Sequence, residues 1–403
     1  MKEAMKYKKR LHYLEKIEPF INQNIIKIIV GQRRIGKSYY LFQLMDFIKE
    51  KFPNPNIIYL NKENLEFVEI NDFKSLHLFI DSKIVSDKMN YIFIDEIQEI
   101  SEFEKTLRHF QLQNNVDIYC TGSNAKMLSG EIATMLGGRY ILQKIYSLSF
   151  IEFLEFHNLE NNNQSLQKYL RYGGLPYLIN LISSDEVYSD YLKNIYSSIL
   201  YKDVIWRNNI RNFNFLEALV KYLAHNTGNI ISAKKISDYL KSQRVNISPQ
   251  TVINYLEFLE QAFFIFKAQR IDLNGKNIFE SGEKYYFEDL GLKNAITSYK
   301  PTYINQLIEN AIYHHLKIFG YEVQVGYSGK KEIDFVASRN DELIYIQASY
   351  LISNEEIENR EFGNLLEIKD NYPKYVISLD EFSGNNYKGI THLHLRDFLS
   401  KAI

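Results

Sequence analysis

An eight-residue motif constrains the fold of this chain more than any other feature. Residues 31–38 read Gly-Gln-Arg-Arg-Ile-Gly-Lys-Ser, which satisfies the pattern G-x-x-x-x-G-K-[ST] in full. The run Ile25 to Val30, apolar apart from Lys27, precedes the motif, and a helix follows it. In that context, glycines let backbone N–H groups turn inward around phosphate oxygens, and the helix N-terminus adds positive potential. The motif predicts a phosphate-binding loop. The alternative is a chance turn, but average residue usage would produce this pattern in only about one per cent of chains this long.

Different side chains of the loop are expected to bind the phosphates and the metal ion of a nucleotide. We expect Lys37 to bridge the β and γ phosphates and the Ser38 hydroxyl to ligate Mg²⁺, so the predicted cofactors are ATP and Mg²⁺. Arg33 and Arg34 are more consistent with solvated charges at the rim of the site than with catalysis. The full set of predicted nucleotide contacts in this segment is Gly31, Gln32, Arg33, Arg34, Ile35, Gly36, Lys37, Ser38 and Tyr39.

Polar residues follow two further apolar strands. Tyr91-Ile92-Phe93-Ile94 leads into Asp95 and Glu96. We expect Asp95 to hold the metal through water and Glu96 to orient or deprotonate the attacking water. The alternative is a solvated strand end. Val116 to Cys120 leads into Ser123 and Asn124, which we expect to sense the γ-phosphate. These two residues could instead cap the following helix.

The arrangement of strands predicts the fold class. Four short apolar runs, the two above together with Ile25 to Val30 and Ile57 to Leu60, alternate with helical segments. This alternation is typical of an α/β domain with a parallel sheet covered on both faces. In such sheets functional residues follow the strand ends, as the predicted site residues do here.

The rest of the chain predicts three further domains. After a P-loop domain at 1–147, we expect a helical lid at 148–211, a winged helix at 212–300 and a C-terminal α/β domain at 301–403. The winged helix is predicted from two helices, Ser232 to Leu240 and Ser248 to Ala262. A hairpin of Phe263 to Ile271 with Lys284 to Phe287, turning at Leu273-Asn274-Gly275-Lys276, completes it.

Bulk properties limit the partners and the compartment. The net charge of -1 gives no global basic field, so tight non-specific nucleic-acid binding is not implied by charge. No segment has the roughly 18 uninterrupted apolar residues of a membrane span. A single cysteine, Cys120, cannot form an intrachain disulfide, which fits a reducing cytoplasm.

DNA is one candidate partner. The helix that begins at Ser248 carries Gln250, Thr251 and Asn254, side chains that can contact base edges in a major groove. The same helix carries Glu257 and Glu260 and no basic residue, so a packing or oligomerisation module is the alternative. The nearby basic residues, some of which could meet phosphates, are Lys234, Lys235, Lys241, Arg244, Lys267 and Arg270.

With these residues placed, the chain resembles AAA+ ATPases, in particular a prokaryotic group in which an AAA domain precedes a further C-terminal domain. The matching segments are GQRRIGKS, YIFIDEIQEI, YCTGSNAKML, LGGRYILQKIYSLSFIEFL, YGGLPYLI and EIDFV. The resemblance implies that Arg139 acts as an arginine finger in a neighbouring subunit of a homo-oligomer. A surface or structural ion pair is the alternative for this arginine.

The C-terminal segment resembles the PD-(D/E)xK restriction-endonuclease core. Glu309 on a helix, Asp334 in a strand, and Gln347 and Ser349 at the end of the next strand follow its order. This chain differs from that core at two positions: Gln347 occupies the position of a carboxylate and Ser349 the position of the lysine. We therefore expect a degenerate core that contacts nucleic acid or protein, with an active nuclease or an unrelated α/β domain as alternatives.

These patterns predict an ATPase in which Mg-dependent ATP hydrolysis drives a conformational change, with DNA or a protein as its target. Two alternatives stay open at this point. One is a nucleotide-gated binding module with negligible turnover, and the other is an ATP-driven nuclease.

Overall fold

The computed structural model describes residues 7–125, 134–273, 282–328, 331–352, 355–381 and 386–401. The chain divides into two compact units, the first Met1–Tyr146 with Gln261–Phe263 and the second Ser147–Glu260 with Phe264–Ile403. Among the helices described, none is long and apolar enough to cross a membrane.

The first unit is built on a five-stranded parallel sheet. Its strands are β1 Ile26–Val30, β2 Asn56–Asn61, β3 Asn90–Asp95, β4 Val116–Gly122 and β5 Tyr140–Lys144, in the spatial order β2-β3-β4-β1-β5. The α/β class and the four predicted strands are confirmed. Strands β1, β3 and β4 are buried along their whole length, which explains their nearly continuous apolar sequences. The sequence did not predict β5, an edge strand in which only one residue is buried.

Four helices accompany this sheet in the described residues: α1 Leu11–Ile17, α2 Lys37–Lys51, α3 Phe73–Asp81 and α4 Phe103–Gln111. Helix α2 follows the phosphate loop directly, and its N-cap Gly36 has φ 96°, a left-handed conformation that favours glycine. Helix α3 begins with a capping box between Asp72 and Ser75, which satisfies backbone N–H groups of its first turn.

A charged pair lies within the sheet of this unit. Lys27 of β1 forms an ion pair with Asp117 of β4, and both side chains are buried. The second carboxylate oxygen of Asp117 accepts hydrogen bonds from the Tyr119 hydroxyl at 2.7 Å and the Asn22 N–H at 2.9 Å. The ammonium also donates to the Gln23 carbonyl at 3.0 Å. These bonds compensate for much of the cost of removing two charges from water.

The second unit begins with helices. They are α5 Phe150–His157, α6 Asn163–Tyr172, α7 Asp185–Ser198, α8 Phe213–His225, α9 Ala233–Ser242, α10 Pro249–Gln261 and α11 Leu290–Thr297, with a π-helical segment Ile199–Trp206 after α7. Ser149, Ser232 and Ser248 each accept a hydrogen bond from a backbone N–H of the helix that follows. These caps fix the starts of α5, α9 and α10, and the starts of α9 and α10 agree with the prediction from the sequence.

The predicted hairpin differs from the structure in one respect. Strand β6 Ile265–Ala268 pairs antiparallel with β8 Lys284–Phe287, as expected, but the first strand ends at Ala268. After Gln269, whose carbonyl accepts the Val325 N–H at 2.8 Å, strand β7 Arg270–Asp272 joins a different sheet. The predicted turn residues 274–276 lie outside the described part of the chain.

A seven-stranded mixed sheet forms the C-terminal part, in the order β13-β14-β12-β11-β10-β9-β7. Its further strands are β9 Glu322–Ser328, β10 Lys331–Arg339, β11 Glu342–Ala348, β12 Lys374–Ser378, β13 Asn386–Tyr387 and β14 Ile390–His394, and its helices are α12 Ile304–Ile318, α13 Glu355–Leu366 and α14 Leu395–Leu399. The helix predicted to carry Glu309, the strand predicted to carry Asp334 and the following strand are present as α12, β10 and β11. The sequence did not predict β13, β14 and α14.

One hydrophobic core runs through the second unit. Phe150, Phe153 and Tyr169 of the first helices are buried in the same cluster as residues from α12, the large sheet and α14. The segments predicted as lid, winged helix and C-terminal domain therefore share apolar contacts within this unit.

Candidate functional site

The phosphate loop, residues 31–38, connects β1 to α2 in the first unit. Gly31 permits its close packing, because a Cβ atom there would lie 2.2 Å from the Ile145 carbonyl oxygen. The buried Arg10 guanidinium supports the loop from outside by donating to the carbonyls of Ile35 at 3.4 Å and Tyr146 at 2.8 Å.

Lys37 lies buried at the centre of the loop. Its ammonium donates to the carbonyl oxygens of Gly31 at 3.1 Å and Gln32 at 3.0 Å. The same Nζ is 3.7 Å from Oε1 of Glu96. The lysine thus stands between its own loop and the end of β3, and phosphate oxygens can replace the loop carbonyls as its partners.

Asp95 and Glu96 follow β3 and meet the loop at the same edge of the sheet. The Asp95 carboxylate accepts a hydrogen bond from the Thr121 hydroxyl and interacts with the Ser38 hydroxyl. Burial raises the pKa of Asp95, against the lowering effect of those two hydroxyls. Asp95, Ser38 and Thr121 therefore bring a carboxylate and two hydroxyl oxygens together beside the lysine.

Glu96 has a different electrostatic environment from its neighbour. Burial acts to raise its pKa, but the Lys37 ammonium and hydrogen bonds outweigh burial, and the pKa is lowered. Its backbone is left-handed, with φ 58°, and its N–H donates to the Thr121 Oγ1 at 2.9 Å. Glu96 is therefore an ionised carboxylate held in a fixed orientation.

Two residues at this site were missed by sequence reasoning. The Gln98 side-chain amide donates to Glu96 Oε2 and lies 3.4 Å from the Ser123 hydroxyl, so it joins the predicted catalytic acid to the predicted sensor. Thr121 contacts both acids, because its hydroxyl donates to the Asp95 carboxylate and accepts from the Glu96 N–H. Their positions in D-E-I-Q and C-T-G-S were visible in the sequence, but neither residue type has a distinctive signature.

The remaining predicted site residues differ in exposure. Ser123 and Asn124 are buried at the end of β4, next to the acids in the sheet order. Arg33 forms an ion pair with Glu63 at 3.0 Å, and Arg34 is exposed with φ 71°. Tyr39 is exposed, and its ring contacts Phe42. Ile35 is buried.

The donor set fits a hard divalent cation and a phosphate chain. Carboxylate and hydroxyl oxygens are the ligands that Mg²⁺ prefers, and Asp95 and Ser38 supply one of each. Gln32 in the loop is fully buried, and both polar atoms of its side chain lack a hydrogen-bond partner in the described residues. A buried amide without partners is costly, which is consistent with a loop that is completed by a polar ligand.

Arg139 lies away from this cluster. It immediately precedes β5, and its carbonyl accepts the N–H of Ile26 at the first residue of β1. The phosphate loop follows the last residue of β1, so the full length of that strand separates Arg139 from the loop in its own chain. The Arg139 side chain is exposed and forms no ion pair with the described residues.

A parallel sheet of this order with a phosphate loop after β1 and acids after β3 defines a P-loop nucleotide-binding protein. The family model described as an AAA domain matches residues 23–154, and a domain of unknown function matches residues 163–303. The chain is 36% identical to an uncharacterised protein of Haemophilus influenzae, covering 97% of this chain and 98% of that protein. It is 32% identical to an uncharacterised protein of Methanocaldococcus jannaschii, covering 85% of this chain and 79% of that protein. The chain therefore belongs to one family with these proteins, and its residues 23–154 are similar to an AAA domain.

A solved structure shows a similar fold. The Walker-type ATPase of Pyrococcus abyssi aligns with 72% of this chain and 95% of its own length, with a TM-score of 0.52 and 16% identity. At this identity the similarity concerns the fold alone.

The predicted C-terminal residues also come together, in the second unit. The ammonium of Lys284 contacts the carboxyl groups of Glu309 and Asp334. Gln347 lies next to them, because its Oε1 accepts a hydrogen bond from the Asp334 N–H. Lys284 was not predicted there, since it lies 50 residues before Asp334 in the chain. Lys331, the first residue of β10, forms an ion pair with Glu367 at the surface.

Proposed function

We propose that this protein binds Mg-ATP and hydrolyses it, and that Lys37, Asp95 and Glu96 form its reaction centre. The observation that carries the proposal is their convergence at one sheet edge, with Lys37 Nζ 3.7 Å from Glu96 and the Ser38 hydroxyl on Asp95. The AAA domain of the family and the lysine inside a phosphate loop support ATP as the ligand.

Each residue has a distinct role in this proposal. Loop N–H groups and Lys37 bind the β and γ phosphates, and Ser38 and Asp95 hold the metal. Mg²⁺ supplies charge neutralisation on the phosphate oxygens when it is bound. Glu96, ionised through its contact with Lys37, orients the attacking water and accepts its proton.

Gln98, Ser123 and Asn124 complete the proposed centre. Gln98 holds the Glu96 carboxylate and reaches the Ser123 hydroxyl. A change in the partners of Ser123 on γ-phosphate loss would therefore be passed to the catalytic acid through this amide.

Arg139 acts in trans in this proposal, within a homo-oligomer. Its separation from the loop of its own chain means that it can serve only the site of another subunit. Its exposed guanidinium is available to neutralise charge on a phosphoryl group there.

Phosphate release tests the central proposal. Lys37→Ala should abolish Mg-ATP binding, whereas Lys49→Ala, an exposed lysine of the same helix, should bind and turn over as the parent does. Nucleotide binding is measured by fluorescence of a labelled ATP, and turnover by steady-state phosphate release. Mg-ATP binding that survives in Lys37→Ala would remove the phosphate loop from the proposal. Binding without turnover in the parent protein would favour the nucleotide-gated module.

We propose DNA as the target, with α10 of the second unit as the helix that contacts it. Gln250 and Asn254 are exposed on α10 and hydrogen-bonded to each other at 3.0 Å. Lys267 and Arg270 are engaged elsewhere, the first with Glu283 at 3.9 Å and the second over the Tyr327 ring. The exposed basic residues near α10 are Lys234, Lys235, Lys241 and Arg244.

The DNA part of the proposal has its own test. Duplex DNA should raise the rate of phosphate release, and substituting Lys234 and Lys235 together by alanine should reduce the salt dependence of DNA binding. An unchanged salt dependence in that double variant would exclude these lysines as phosphate contacts.

A further inference from the structure

Three carboxylates of the second unit converge on one buried ammonium. Lys284 Nζ lies 2.8 Å from Glu332 Oε1, 2.8 Å from Asp334 Oδ1 and 3.2 Å from Glu309 Oε2. The Lys284 side chain is 2% exposed. These acids come from helix α12 and strand β10, whereas the lysine comes from β8, the strand paired with β6.

The lysine is charged in this environment. Burial alone lowers the pKa of Lys284, but Asp334 and Glu309 reverse that effect and raise it well above its ordinary value. Burial and the Asp334 charge raise the pKa of Glu309, against the effect of Lys284. The Tyr286 hydroxyl lies 3.2 Å from the same Glu309 oxygen. Three carboxyl groups therefore share one ammonium at hydrogen-bonding distance.

A fourth acid marks the same place. Glu361 on α13 is 2% exposed; its Oε1 accepts a hydrogen bond from the Arg360 guanidinium at 2.9 Å, and its Oε2 has no hydrogen-bond partner in the described part of the chain. The electrostatic influence of Asp334 and an interaction with Gln347 place its carboxyl group beside the cluster. Gln347 Oε1 in turn lies 3.4 Å from the Asp334 N–H. An unpartnered buried carboxylate oxygen next to three others is a feature of a site built for a cation.

We propose that this cluster is a divalent-cation site in which the ammonium of Lys284 takes the place of the metal. Clustered carboxylate oxygens are preferred ligands of Mg²⁺, Ca²⁺ and Mn²⁺. Lys284 supplies a compact positive charge with three donors, which meet three carboxylates. As long as it occupies the centre, a metal ion would have to displace a bonded ammonium. No group of acidic, histidine or cysteine residues within the described ranges can hold a metal ion in the present arrangement.

Under this proposal, the second unit does not cleave nucleic acid in a metal-dependent reaction. With Lys284 in place, Glu309, Glu332 and Asp334 bond its ammonium and do not ligate a catalytic metal. The unit then acts as a metal-free scaffold, and the absence of a metal from this cluster does not depend on whether the phosphate loop holds Mg-ATP.

Removal of the lysine tests the proposal. Lys284→Met keeps the apolar length of the side chain and leaves the carboxylates without their cation. In EDTA we expect a lower Tm than in the parent protein, and with Mn²⁺ or Ca²⁺ a rise of about 4 °C or more, a shift on the scale of one well-formed interaction. Electron paramagnetic resonance without nucleotide should show one bound Mn²⁺ in the variant and none in the parent. The matched control is Lys331→Met, which removes an exposed lysine of β10.

Each outcome decides the proposal. Mn²⁺ bound at this cluster in the parent protein would overturn it, as would a folded Lys284→Met variant that takes up no Mn²⁺. If Lys284→Met does not fold with or without metal, the double variant with Asp334→Asn decides, because it removes one negative charge together with the positive one. The proposal expects the double variant to fold without metal, and its failure to fold would show that the lysine acts by packing.

Discussion

The Glu96→Gln substitution tests most directly whether Glu96 is the general base. The change removes the proton acceptor but keeps an oxygen that can accept from the Gln98 amide, so the orientation of the side chain is retained. General-base groups contribute about 10²- to 10⁴-fold to rate, which corresponds to roughly 3–5 kcal/mol in the barrier. We therefore expect kcat to fall by about 10²-fold or more.

Binding should respond in the opposite direction. At 3.7 Å the attraction between Lys37 and Glu96 is about 4 kcal/mol at an effective dielectric of roughly 20, and phosphate binding must compete with it. Neutralising Glu96 removes this competitor, so Mg-ATP should bind the variant as tightly as the parent or more tightly.

Two assays on the same preparation separate these effects. Steady-state phosphate release gives kcat, and fluorescence of a labelled ATP gives its Kd. Glu99→Gln, which changes an exposed acid three residues away, is the matched control. A Glu96→Gln variant with kcat within threefold of the parent would refute the assignment of Glu96 as the base.

Three further predictions follow from buried groups. Lys27→Met leaves the buried Asp117 unpaired and should lower the free energy of unfolding by about 3–5 kcal/mol, whereas the double variant with Asp117→Asn should recover most of that loss in urea titrations. Burial, with Glu288 adding to it, raises the pKa of Asp289 to about 6, so its contribution to stability is present below about pH 4 and is lost as pH rises through 6. The loss should be about 3 kcal/mol, and Asp289→Asn should flatten denaturation midpoints measured between pH 4.5 and 7. Burial raises the pKa of Cys120 to about 12, so a thiol reagent should label it only in denaturant, and rapid labelling of native protein would contradict its burial.

The sequence predicted the phosphate site because each of its signals is local. The loop glycines, Lys37 and the acids after β3 each have a residue pattern set by their own strand or turn. In a parallel sheet the ends of β1, β3 and β4 meet at one edge, so local patterns were enough to place Lys37 beside Glu96.

The C-terminal cluster could not be predicted in the same way. Lys284 reaches Asp334 through pairing between strands that are distant in the chain, and no local pattern around residue 284 distinguishes it from a surface lysine. The edge strand β5 was missed for a related reason, since its mixture of polar and apolar residues reflects exposure at the sheet edge. The break between β6 and β7 arises because β6 pairs with β8 and β7 pairs with β9, in two different sheets. Such pairing between distant segments is also not visible in the local sequence.

The common core of the second unit limits how the chain can be divided. A protein cut after about residue 300 would lose α12, the strands beyond it and α14, whose side chains cover Phe150, Phe153 and Tyr169. Those aromatic rings would then face water, and a fragment ending there would tend to aggregate. Joining this C-terminal segment to another nucleotide-binding domain would therefore require the helices after residue 147 to be transferred with it.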